Sequence, residues 1–100
     1  MTPAAFKRTL AKTTPPKGLS KSLLALWWAD KGDWERAHKI VQDEETPDAA
    51  WVHAYLHRVE GDLGNARYWY RQAKREPASG ALKAEWSAIS TELLSAARSA

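Results

Sequence analysis

His53 and His57 are four residues apart, and Glu60 follows three further on. On a helix those steps each correspond to about one turn, so all three side chains leave from one side. Two imidazoles and a carboxylate in that arrangement have the donor types that hold zinc or move protons. The spacing is His-x-x-x-His without the glutamate directly after the first histidine that marks a metalloprotease helix. His38 offers a further imidazole, but nothing in the sequence fixes its direction. The preferred reading of the pair is structural: partly buried histidines hydrogen-bonded to Tyr68, an acid or backbone carbonyls.

A second constellation lies on the same stretch. Trp51 and Tyr55 are four apart, and Arg58 continues their side. Two wide aromatic rings beside an arginine have the composition of an interface hot spot. This makes Trp51, Tyr55 and Arg58 the candidate partner-binding residues, with packing between neighbouring helices as the alternative. Trp28, Trp34, Trp69, Tyr70 and Trp86 are assigned to the core. There is no Gly-rich phosphate loop and no G-x-S-x-G elbow. No catalytic residue is assigned and no cofactor is expected. Arg67, Arg71, Lys74 and Arg75 read as a solvated basic face.

The 100 residues suit a single domain, with 44% hydrophobic and 27% charged residues, as in ordinary soluble chains. Six tryptophans offer unusually large buried areas for a chain this short. The absence of cysteine rules out disulfides, thiolate metal sites and cysteine nucleophiles. No apolar run reaches the ~20 residues that span a bilayer, and no secretory leader is apparent. No membrane contact is expected, and a cytoplasmic protein is the plain reading. The net charge is +3, but residues 1–21 alone carry +5 and the remainder −2. Residues 1–19 are therefore expected to form a basic flexible arm. Nucleic-acid contact through that arm is an alternative function, and an unfavoured one without interleaved aromatics.

The elements that must position these residues are all helices. Pro3 at a first helical position permits a short helix over 3–12, and Pro15-Pro16-Lys17-Gly18 breaks it. Ser20 caps a helix over 20–31 that Gly32 stops. Asp33 caps the next, over 33–45. Thr46, Pro47 and Asp48 open a third over 47–60, which Gly61 ends. Asp62 opens a fourth over 62–75, and Pro77, Ser79 and Gly80 mark a break. A last helix over 80–97 carries Leu82, Trp86, Ile89, Leu93 and Leu94 as its apolar stripe and is expected to cap the stack.

The chain repeats itself. Gly32-Asp33 matches Gly61-Asp62 and Ala37 matches Ala66, both at an offset of 29 residues. With Ala66-Arg67-Tyr68-Trp69-Tyr70-Arg71-Gln72-Ala73 on the fourth helix, residues 20–77 resemble tetratricopeptide-type repeats of the Sel1-like branch. Ala25, Ala54, Ala37 and Ala66 fall where paired helices touch, since only a methyl group allows the closest backbone approach. The resemblance implies an all-α fold of two stacked antiparallel hairpins, repeat 1 over 20–45 and repeat 2 over 46–77. A capping helix over 80–97 completes a domain of residues 20–100. It also implies a protein-interaction scaffold rather than an enzyme, binding a protein, a peptide, a partner helix or its own copy as a homodimer. Two repeats fall below the roughly three that a stable stack needs, so the ends must cap it or two chains must associate.

Overall fold

A computed structural model describes residues 1–99 as six α-helices, with no strand among them. They are α1 (Pro3–Thr9), α2 (Lys21–Asp30), α3 (Trp34–Val41), α4 (Pro47–Val59), α5 (Leu63–Ala73) and α6 (Leu82–Ser99). The all-α class expected from the sequence is what the chain adopts. Ala100, the last residue of the expected 20–100 domain, lies outside the described residues.

The local signals act where the sequence puts them. Thr2, Ser20, Asp33, Thr46 and Asp62 each accept a hydrogen bond from a backbone N–H three residues on, satisfying an otherwise orphaned donor. Gly32 and Gly61 take φ of +85° and +84°, the left-handed conformation that lets a helix stop and turn. Just after them, Asp33 N–H donates to Trp28 O at 3.0 Å and Asp62 N–H to His57 O at 2.9 Å. The two Gly-Asp corners are thus conformational copies of each other.

One helix is shorter than expected. α3 ends at Val41 rather than near residue 45. Its C-terminus runs into Asp43, Glu44 and Glu45, whose charges oppose the negative end of the helix dipole. Pro47 also forces Thr46 into an extended conformation, φ −118° and ψ 152°, so the helix cannot run through.

α4 is the axis of the fold. It packs against α2, α3, α5 and α6, and every residue from Ala49 to His57 is buried. Such a helix should be apolar all round, and Ala50, Val52, Ala54 and Leu56 satisfy that rule. His53 and His57 do not. α2 packs chiefly on α3 and α5 on α4, with Ala25, Ala37, Ala54 and Ala66 all buried in the core.

The N-terminal segment differs from the expected flexible arm. α1 docks on α6, where fully buried Phe6 stacks on Trp86 with ring centroids 5.6 Å apart. Trp27 Nε1 donates to Thr9 Oγ1 at 3.1 Å, and Lys31 Nζ donates to the carbonyls of Leu10 and Lys12 at 2.7 and 2.9 Å. The charge pattern had drawn attention to the lysines and arginine of this stretch. Burying one phenylalanine against a tryptophan outweighs them, since their charged heads stay in water.

Trp86 Nε1 donates to Leu26 O at 2.8 Å, tying α6 to α2. Glu85 is buried beneath it, with Arg58 Nη1 at 2.9 Å and the Tyr70 hydroxyl as its two donors. The Arg58 guanidinium also reaches the Gly80 carbonyl. A carboxylate in this position costs several kcal/mol of desolvation, and a hydrogen-bonded cation offsets it. Breaking the arrangement from one side therefore has a large effect. Arg58→Ala, which strands the Glu85 charge, should lower unfolding free energy by about 3–5 kcal/mol in urea titrations. A loss below about 1 kcal/mol would mean that the pair contributes no more than a surface contact does.

Candidate functional site

The residues expected to receive a partner are largely covered by the chain itself. Trp51 and Tyr55 are 8% and 7% exposed, both within the hydrophobic core. The Trp51 ring borders a hollow of about 520 Å³ between the end of α5 and α6, but the Arg75 guanidinium lies over it at 3.5 Å. Arg75 in turn pairs with Glu92 of α6. Arg58 is committed to Glu85 and Gly80. Burial pushes the Tyr55 hydroxyl pKa up to about 12, reinforced by Asp30 and Glu85. In the fold Trp51 and Tyr55 are buried and Arg58 is hydrogen-bonded to Glu85 and Gly80.

The histidines come together on the other side of α4. His53 Nε2 lies 3.0 Å from Nε2 of His38, which α3 supplies. His57 Nδ1 lies 2.6 Å from Glu60 Oε1. An ionised carboxylate only accepts, so His57 directs an Nδ1 proton at Glu60 and leaves Nε2 outside that bond. Each of the three rings has a nitrogen within 4.8 Å of a nitrogen on the other two. A further grouping joins His57, Glu60 and Asp62 at the exposed corner, where the hydrogen bond to His57 and the capping of α5 already employ the carboxylates.

Two tryptophans wall the cluster. Trp34 stacks on His38 with centroids 4.8 Å apart, and Trp69 stacks on His53 at 3.9 Å. Trp34 Nε1 donates to Leu56 O at 2.7 Å, which fixes that wall to α4. Both rings are half-buried rather than fully internal, unlike Tyr70 and Trp86. None of the histidines hydrogen-bonds Tyr68, the partner the structural reading anticipated, among the described residues.

The environment favours the neutral form of two of these imidazoles, His53 and His38. Burial lowers the His53 pKa to about 4, with His38 and then His57 adding repulsion. His38 is lowered as well, again chiefly by burial and next by His57, against a smaller pull from Glu60. His53 is only 4% exposed, and its Nδ1 has no hydrogen-bond partner among the described residues.

A separate feature opens beside Trp69. The connection from α3 to α4 and the outer side of α5 enclose a cleft of about 530 Å³. Gln42, Ala50, Tyr68, Trp69 and Gln72 form its walls, and Asp43, Glu44 and Glu45 stand along its edge. Tyr68 is 46% exposed. Sequence reasoning named it as a hydrogen-bond partner of the histidines and not as a binding residue, because the Trp-Tyr pair that follows it carried the repeat signature. The usable signal was its place one residue ahead of Trp69, which on a helix turns it outward when Trp69 is half inside.

Compared with protein-family models, with curated proteins and with solved structures, the chain matches none.

The cluster makes the fold sensitive to acid. His53 in the folded chain resists a proton that it accepts freely when unfolded, so the unfolded state binds more protons as pH falls. Its contribution is fully present above about pH 6.5 and is lost as pH drops toward 4, on the order of 2–3 kcal/mol. His53→Phe, which keeps a ring on Trp69, should flatten the pH dependence of the urea midpoint over that interval. Identical curves for the two proteins would show that His53 titrates normally in the folded chain.

Proposed function

We propose that the chain is a protein-interaction module, and that it binds through the cleft between the α3–α4 connection and α5. The carrying observation is Tyr68, half exposed beside Trp69 on the wall of a cleft edged by three consecutive acids. Tyrosine and tryptophan supply large, stiff contact areas and are the residues that concentrate binding energy at interfaces. Glu44 is paired with Lys21, whereas Asp43 and Glu45 have no ion-pair partner among the described residues. Arg71 lies over the Tyr68 ring at 5.9 Å, so this face already attracts a cation of the chain itself.

The occupant that fits is a basic peptide segment of another protein. Its lysine or arginine stems would lie on Tyr68 and Trp69, and its charges would meet Asp43 and Glu45. Gln42 and Gln72 offer hydrogen bonds to its backbone. This differs from a groove at Trp51, Tyr55 and Arg58 in place, and it retains the aromatic mode of binding.

The helical-repeat reading belongs to the same proposal. The matching Gly-Asp corners and the four buried alanines support α2–α3 and α4–α5 as two copies of one unit, with α6 as the cap. The docked N-terminal segment packs on that cap, Phe6 against Trp86. Nucleic-acid contact through that segment loses support, because α1 is packed rather than free. No helix is long and apolar enough to cross a membrane among the described residues.

The test uses arrays of lysine- and arginine-rich peptides, followed by fluorescence anisotropy on the best binder. Tyr68→Ala should weaken binding by ~1–2 kcal/mol, about five- to thirty-fold. Asp43→Lys combined with Glu45→Lys should weaken it further and reduce its salt dependence. Equal affinity of the wild type and all these variants would end the reading.

A further inference from the structure

The histidine cluster carries more than a packing role. α4 is the most enclosed helix of the chain, yet two of its inward positions hold imidazoles where Val52, Ala54 and Leu56 show that apolar residues fit. A third imidazole is brought to them from α3. Buried polar groups are expected to be satisfied, and each exception calls for a cause. Among the described residues His53 Nδ1 is such an exception, while the nitrogen that His53 turns toward His38 is Nε2.

We propose that His38, His53 and His57 are the protein ligands of a first-row divalent transition ion, with zinc as the reference case. Glu60 is assigned not to the ion but to His57, which it orients. The geometry supplies the argument. Two nitrogens bound to one tetrahedral zinc at about 2.0–2.1 Å lie about 3.3 Å apart. Nε2 of His38 and Nε2 of His53 are 3.0 Å apart, so exchanging the proton between them for an ion needs a shift of only tenths of an ångström. His57 has given Nδ1 to Glu60, and the nitrogen it has left for a metal is Nε2. A carboxylate holding the far nitrogen of a ligating histidine is the usual outer arrangement of such centres, because it fixes the tautomer and raises the basicity of the ligand.

The donor set narrows the ion. Three imidazoles without sulfur suit zinc, copper, nickel or cobalt and not the oxygen-seeking magnesium or calcium. Three protein ligands also leave a coordination position for an exogenous group. The centre is independent of the cleft reading, although Trp69 forms a wall of both.

The experiment uses the full chain without an affinity tag, stripped by chelator and titrated calorimetrically with zinc chloride. Cobalt chloride is titrated in parallel for its visible absorption, and magnesium chloride as a control. Long-range proton–nitrogen spectra of the histidine rings report which nitrogens the ion occupies. The expected result is stoichiometric zinc binding, intense low-coordinate cobalt bands and no response to magnesium. One nitrogen each of His38, His53 and His57 should move in the ring spectra. His38→Ala, at the least buried ligand, should weaken zinc at least about 100-fold, and Glu60→Gln about 10- to 100-fold. Both should keep the helical circular-dichroism signal. The ring spectra need no variant, so they decide even if a substitution unfolds the chain. Absence of stoichiometric binding, unshifted ring nitrogens, or unchanged affinity in His38→Ala would each overturn the assignment.

Discussion

The arrangement depends on one buried carboxylate. Glu85, in the first turn of α6, is removed from water and held by Arg58 of α4 and the Tyr70 hydroxyl of α5. Its charge cannot stay there without those donors, so α6 has one seat, fixed by electrostatics as well as by Trp86 and Ile89 packing into the core. Burial and the hydrogen bond to Glu85 raise the Tyr70 pKa, so its hydroxyl remains a donor throughout the neutral range. Three helices meet at this one acid.

The position of the functional features follows. At about 100° per residue, Trp51, Tyr55 and Arg58 leave α4 on one side while His53 and His57 leave on nearly the opposite one. α6 takes the first side and thereby consumes the aromatic-arginine set in packing. The second side receives α3 and α5, whose tryptophans frame the histidines without sealing them completely. What remains open is the region where α3 ends early and its acidic connection passes α5. The same shortening of α3 that the acids and Pro47 impose creates the cleft beside Trp69.

Much of this was legible in the residues. The caps at Ser20, Asp33, Thr46 and Asp62 and the stops at Gly32 and Gly61 are local chemistry, and local chemistry survives into the fold. Ala37 and Ala66 were legible from the internal match, and Ala25 and Ala54 from the resemblance to paired repeat helices. The histidines were found by spacing, but their number was not, because His38 lies on a different helix and only tertiary packing aims it. The side on which Trp51 and Tyr55 would be covered was equally invisible. An amphipathic stripe such as that of α6 says that a helix will dock, and not on which face of its neighbour. The N-terminal segment misled for a related reason. Charge dominates its composition, while its fate is set by one phenylalanine finding one tryptophan.

The account turns on which face of α4 the chain closes for itself and which surface it leaves to others. Hydroxyl-radical footprinting of the free protein, read residue by residue by mass spectrometry, measures that directly. Tyr68 should be oxidised readily, and Trp51 and Tyr55 should be strongly protected until the chain is unfolded in urea. Oxidation of Trp51 and Tyr55 at the rate of Tyr68 in the folded protein would contradict this arrangement, because α6 would then not be seated on the Arg58 side of α4.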